Sequence, residues 1–248
     1  MILALFTLIL NISPANAIIG GVPVTADDPI AHSTVMLIGE TATGMFSCSG
    51  TILNDEWVLT AAHCSIGVKD MVVVFSTHAP DTSWARLLSS GLHYRRVVDL
   101  NHNQDYPDTN IGQMIPHNDI GLVRFSGGLP KGYYPVTILN PSVDAKYLTP
   151  NTPVVIAGFG KRGADPKTDD SGNLYKDTVP LHRIVGQVDA NVGSDGSVAC
   201  HGDSGGPAFI QVNGKYYQWG VASLSDCIRN SVYIPLKSNF YGQMATPE

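Results

Sequence analysis

The sequence is poor in charge: 15% of its 248 residues are Asp, Glu, Lys or Arg. Its 15 Lys and Arg stand against 21 Asp and Glu, a formal net charge of -6, with no basic stripe or polybasic cluster. That excludes nucleic acid and anionic lipid as expected partners. Cysteine is sparse, with Cys48, Cys64, Cys200 and Cys227 and no Cys-x-x-Cys pair to suggest zinc. Helical periodicity is nearly absent. After the first seventeen residues no run is long and apolar enough to anchor the chain in a membrane.

What is present fits an exported, compact protein. A 44% hydrophobic content over this length is enough to bury a sizeable core. The opening stretch, MILALFTLILNISPANA, carries an apolar run from Ile2 to Leu10, a Ser-Pro break and Ala15-Asn16-Ala17 in the small-x-small pattern of a signal peptidase site. Residues 1–17 are therefore expected to be an export signal, although no Lys or Arg precedes the apolar run. In an exported chain an even set of cysteines favours disulfides. Three pairings are open; the local one, Cys48 with Cys64 and Cys200 with Cys227, closes two modest loops worth about 3 kcal/mol each.

Along the rest of the chain, short β-branched and aliphatic runs alternate with Gly, Pro, Asn and Asp. STVMLIG (33–39), FSCSGTIL (46–53), DMVVVFS (70–76), YRRVVDL (94–100) and DIGLVRF (119–125) are of strand length. So are PVVIAGFG (153–160), LHRIVGQV (181–188), PAFIQV (207–212) and YQWGVASL (217–224). The pattern predicts an all-β fold of antiparallel barrels or a sandwich. SGGLPKGYYP (126–135) is the expected linker between two halves, and GADPKTDDSGN (163–173) a polar surface loop. Only the stretch from about Pro235 to Met244 suits a helix.

Three places carry chemistry. His63, in LTAAHCS, follows an apolar strand end and precedes Cys64; Asp119 opens the apolar strand in HNDIGLVRF; Ser204 lies in CHGDSGGPAF among Gly202, Gly205 and Gly206. A serine hydroxyl is a poor nucleophile near neutrality and needs a base such as imidazole within reach. The base in turn needs an acceptor on its other nitrogen to fix its tautomer. Each of the three residues alone is commonly an ordinary loop or cap residue; together they supply nucleophile, base and orienter.

The flanks of these residues resemble the trypsin/chymotrypsin family of serine endopeptidases. The matching pieces are IIGG (18–21), CSGTIL and WVLTAAHC (48–64), NDIGLVRF (118–125), VVIAGFG (154–160), CHGDSGGP (200–207), WGVASL (219–224) and VYIPL (232–236). The resemblance implies two packed six-stranded antiparallel β-barrels with a short C-terminal helix, the first over about 18–128 and the second over about 129–248. It implies Ser204 as nucleophile, His63 as general base then acid and Asp119 as the orienting carboxylate, with the N–H groups of Gly202 and Ser204 as oxyanion hole. Ser223, Leu224 and Ser225 match the strand that pairs with an extended substrate. Ile18 and Asp203 match the activation pair of new α-ammonium and carboxylate. Protein or peptide substrates and protein protease inhibitors are the expected partners of a secreted monomer, with no cofactor, no metal and no stable membrane anchor.

The sequence also departs from the family. Leu224 and Phe159 stand where tryptophan is usual, and His201 falls at the rim of the specificity pocket. By the same resemblance Val198, six residues before Ser204, matches the floor of the specificity pocket, and Ser225 and Ser231 match its walls. An uncharged floor between hydroxymethyl walls predicts cleavage after small or medium apolar side chains. The alternatives are basic specificity, should Asp226 or Asp195 enter the pocket, and a catalytically silent binding homologue. Ala17 abuts Ile18 directly, so cutting after Ala17 is expected to expose the Ile18 ammonium without a separate activating protease.

Overall fold

The computed structural model describes residues 18–79, 84–106, 117–162, 171–185 and 189–236. The export segment expected at 1–17 and most of the polar loop at 163–173 lie outside these residues. Of the helix expected from about Pro235, the described part is strand end: Pro235 closes a strand, and the residues from 237 onward lie outside.

The first barrel is built from β2 (Thr34–Thr41), β3 (Gly44–Ile52), β4 (Trp57–Thr60), β5 (Asp70–Phe75), β6 (His93–His102) and β7 (Gly121–Phe125). It closes in the order β2-β3-β4-β7-β6-β5. The second barrel is built from β8 (Pro153–Gly158), β9 (Tyr175–Val185), β10 (Asp189–Val192), β11 (Pro207–Val212), β12 (Lys215–Ser225) and β13 (Ser231–Pro235). These six run β9-β10-β13-β12-β11-β8, and the β8–β9 pairing closes the ring. Neighbouring strands in both barrels are antiparallel. Helix is confined to Trp84–Ser89, Asp144–Tyr147 and three short 3-10 turns among the described residues.

The unbroken apolar runs have a physical explanation. Side chains alternate across a strand, so a run without polar alternation needs two buried faces. In β2, Val35 and Leu37 fill the first barrel, while Met36 and Ile38 turn to a second cluster shared with Val155, Ala157, Phe159 and Phe209 of the other barrel. β5 does the same, with Val73 and Phe75 inward and Val72 and Val74 outward. β8 mirrors them, since Val154 and Ile156 fill the second barrel and Val155 and Ala157 face the first. Each such side chain contributes about 1.5–3 kcal/mol on burial. The barrels are thus joined through a continuous apolar layer, and Thr51 Oγ1 adds a buried hydrogen bond across it to Gln218 Oε1 at 2.8 Å.

The described N-terminus sits on the second barrel, not the first. β1 (Val22–Pro23) pairs with β9, and Ile19 exchanges backbone hydrogen bonds with Val198 at 2.8 and 3.2 Å. Disulfides join Cys48 to Cys64 and Cys200 to Cys227, the local pairing. With separations of 16 and 27 residues, each removes about 3 kcal/mol of chain entropy from the unfolded state.

Candidate active site

His63 lies on a 3-10 turn, Ala62–Cys64, that follows β4 directly, and the Cys48–Cys64 disulfide pins the next residue to β3. Asp119 lies two residues before β7, on a backbone turned by Asn118 at φ 63°. β4 and β7 are paired, so the ends of two neighbouring strands bring imidazole and carboxylate together. His63 Nδ1 lies 2.7 Å from Asp119 Oδ2, and the His63 backbone N–H donates to Oδ1 at 3.0 Å. That arrangement places the proton on Nδ1 and leaves Nε2 to accept another. Asp119 is 1% exposed. Burial and the Asp119 charge push the Tyr106 hydroxyl up to about 12, so it remains neutral.

Ser204 belongs to the segment between β10 and β11. Gly205 next to it has φ +81°, and a Cβ there would lie 2.3 Å from the Ser49 carbonyl oxygen and 2.1 Å from Thr60 Oγ1. Glycine therefore lets this turn press against the first barrel. Gly202 also requires a positive φ, +97°. Among the described residues neither the Gly202 nor the Ser204 N–H has a hydrogen-bond partner. His63 and Ser204 line one cavity of about 60 Å³ together with His201, Ser223, Leu224 and Ser225. Two larger hollows, of about 240 and 370 Å³, lie elsewhere; the first has no histidine in its lining and the second no carboxylate.

Two residues do more than the sequence suggested. Ser223 Oγ donates to Asp119 Oδ2 at 2.6 Å, a bond from β12 of the second barrel to the carboxylate of the first. Ser49, on β3, holds the Ser204 segment at two points. Its N–H donates to the Ser204 carbonyl at 2.8 Å, and its Oγ donates to the Gly202 carbonyl at 2.9 Å while accepting from Phe159 N–H at 3.0 Å. The only sequence signal for it is its place beside Cys48 in CSGTIL.

Asp203 is fully buried beside the site. Burial raises its carboxyl to about 7, against the opposing pull of N–H donors from Cys200, Gly160 and Ile18. The Cys200 and Gly160 bonds are both 2.8 Å. Gly160 leaves the room for this, since a Cβ there would lie 2.5 Å from the Asp203 carboxyl carbon. Ile18, expected as its partner, is 0% exposed and supplies one of those donors.

Of the specificity residues, Ser225 and Leu224 line the cavity, whereas Val198 and Ser231 are 0% exposed and lie behind it. The two acids weighed as basic-specificity determinants point elsewhere. Asp226 accepts N–H bonds from Ile228, Arg229 and Asn230 at 2.8, 2.8 and 2.9 Å. Asp195 is exposed and pairs with Arg229 at 3.5 Å. Neither lines the cavity.

Two barrels with a histidine–carboxylate pair and a glycine-flanked serine at their junction define a trypsin-like fold. The family model described as Trypsin matches residues 18–241, and the chain belongs to that family of serine proteases. It is 29% identical over 194 residues to the human chymotrypsin-like elastase family member 1, covering 71% of this chain and 69% of the relative. The Bos taurus protein of the same name is 27% identical over 195 residues, covering 71% and 67%.

Proposed function

We propose that this chain is a secreted serine endopeptidase that cleaves after small or medium apolar side chains. One observation carries the reading: His63, held by Asp119 at 2.7 Å, shares a cavity with Ser204. Ser204 Oγ attacks the scissile carbonyl and passes its proton to His63 Nε2. The oxyanion accepts hydrogen bonds from the N–H groups of Gly202 and Ser204, which have no other partner among the described residues. His63 then gives its proton to the leaving amine, and the acyl-enzyme on Ser204 is hydrolysed by water in the same two steps reversed. Asp119, whose Oδ2 also accepts from Ser223 Oγ, keeps the imidazole oriented through both.

The elastase names of the relatives and the lack of an acid in the cavity lining both favour apolar over basic specificity. Export rests on the residues at 1–17, and activation on the Ile18–Asp203 pair. The test is labelling by a fluorophosphonate, which reacts rapidly only with an assembled serine–imidazole pair, combined with turnover of a peptide library. Replacing Ser204 or His63 with Ala is expected to lower kcat about 10⁴-fold or more, the magnitude typical of serine-protease triads. Undiminished turnover by purified Ser204→Ala protein overturns the reading.

A further inference from the structure

Gly202 sits in a tight turn just before Ser204. The Cys200 carbonyl accepts from the Asp203 N–H at 3.0 Å, with His201 and Gly202 between them. His201 keeps a negative φ and Gly202 stands at +97°, the arrangement of a type II turn. The same closing bond also suits a type I turn, in which the residue at the Gly202 position has φ of about −90° and the His201–Gly202 peptide is turned over. Glycine adopts either. The direction of the Gly202 N–H, one of the two proposed oxyanion donors, therefore depends on what holds the turn from outside.

Two bonds do so, one on each peptide that flanks the Gly202 Cα. On the N-terminal side the His201 carbonyl accepts from the Lys161 N–H at 2.7 Å. On the C-terminal side the Gly202 carbonyl accepts from Ser49 Oγ at 2.9 Å. With both peptide planes held, φ and ψ at Gly202 are held as well. No side chain can take over this task, because a Cβ at residue 202 would lie 2.9 Å from the Gly160 Cα.

The Ser49 hydroxyl is itself fixed. Ser49 is 0% exposed, and its oxygen accepts from the Phe159 N–H at 3.0 Å. Among the described residues the Gly202 carbonyl is then the acceptor for its one proton. The Ser49 N–H meanwhile donates to the Ser204 carbonyl at 2.8 Å. Each residue with a proposed oxyanion donor is thus tied through its own carbonyl to Ser49, Gly202 by the hydroxyl and Ser204 by the backbone. Removing the hydroxyl strips the Gly202 carbonyl and the buried Phe159 N–H of these partners, and unpaired polar groups inside a protein drive the backbone to rearrange around them.

We propose that the Ser49 hydroxyl is a positioning group for the oxyanion hole: by pinning the Gly202 carbonyl from the first barrel, it keeps the Gly202 N–H aimed at the oxyanion. This rests on the peptidase reading above and deepens it, since the first barrel then contributes to stabilising the transition state as well as supplying His63 and Asp119. Ser49 is fully buried and lines no part of the cavity, so its hydroxyl acts on kcat and not on substrate binding.

The test compares the wild type with Ser49→Ala and Ser49→Gly, which keep the N–H bond and lose the hydroxyl. Thr51→Val is the control on the same strand: it removes another buried hydroxyl bond, to Gln218, and touches no part of the turn. Active sites are counted by the endpoint of fluorophosphonate labelling, and kcat and KM are measured per active site on a peptide anilide. A peptide aldehyde, whose hemiacetal with Ser204 places an oxygen in the hole, and the matching peptide alcohol, which forms no adduct, report transition-state and ground-state binding separately. Both Ser49 variants are expected to lower kcat about tenfold or more, up to the roughly 10²–10³-fold lost with a whole oxyanion donor, and to hold KM within about twofold. The aldehyde Ki should rise by the factor by which kcat falls, and the alcohol Ki should stay put. Thr51→Val is expected to lower the melting temperature and leave kcat and both Ki values unchanged. A kcat within about twofold of the wild type in both Ser49 variants overturns the proposal. So does a fall in kcat without a matching rise in the aldehyde Ki, or an equal fall in Thr51→Val. A wild type that neither labels nor turns over the anilide removes the peptidase reading itself, and the role of Ser49 falls with it.

Discussion

Asp119 has three hydrogen bonds to share among neighbours from two barrels, and the one from Ser223 is the shortest at 2.6 Å. A hydroxyl donating to a carboxylate is a charge-assisted bond, and losing one costs about 1.5–3 kcal/mol. Ser223→Ala is therefore expected to lower kcat/KM about 10- to 100-fold while leaving labelling by fluorophosphonate detectable, which steady-state kinetics on a peptide ester will show. His63, Asp119 and Ser204, the proposed base, orienter and nucleophile, stand out in the sequence because their flanks TAAHC, NDIGL and GDSGGP are specific. The supporting hydroxyls were less legible. Ser49 and Ser223 act through partners 153 and 104 residues away in the chain, and a serine in a strand carries no local mark of such a bond. The hydrogen bonds that tie Ser225 and Ser231 to each other and to Ala199 were not legible for the same reason, although both serines match the pocket walls.

At the scale of elements, the long apolar strands were readable from composition because both of their faces are buried. Those that escaped the run-by-run reading are β1, β4, β10 and β13. Trp57–Thr60 and Asp189–Val192 are only four residues long, and the latter, DANV, contains two residues that disfavour strands. β10 exists because β9 and β13 lie on either side of it, a pairing no local signal encodes. The turn after β12 is set by Asp226. Although what burial it has pushes the other way, the N–H groups of Asn230, Arg229 and Ile228 pull its carboxyl down to about 2. A lowered carboxyl stabilises the fold above its unfolded value, and the benefit is lost as pH falls through about 2. The turn should accordingly keep its shape across the whole neutral and mildly acidic range. Asp226→Ala removes the acceptor for three N–H groups and is expected to loosen this turn, lowering the urea-unfolding midpoint at pH 7 relative to the wild type.

For the whole molecule, the decisive contact joins the start of the described chain to the second barrel. With residue 17 attached, Ile18 is an internal residue at φ 41°, a left-handed conformation that a β-branched side chain rarely adopts. Its nitrogen is then a neutral amide, and burial holds the Asp203 carboxyl at about 7. A carboxyl raised above its unfolded value of 3.8 binds its proton more tightly in the folded state. Stability therefore falls as pH rises from about 4 to about 7, then levels off. A chain beginning at Ile18 has no residue 17 to impose that φ, and in the proposed activation pair it brings an ammonium to the same carboxylate. An opposite charge at contact favours the ionised carboxyl and lowers its pKa, so the fall with pH should largely disappear. Urea unfolding of the 248-residue chain and of an Ile18-initiated chain, both carrying Ser204→Ala to prevent self-cleavage, tests this at pH 4.5 and pH 7.5. The longer chain is expected to lose midpoint on going to pH 7.5, and the Ile18-initiated chain to hold its midpoint or gain. Asp203→Asn should erase the difference in pH slope between the two, because it removes the group that titrates. Equal slopes in the two Asp203-containing chains would mean that the Ile18 ammonium does not reach Asp203, and the proposed activation pair would fail.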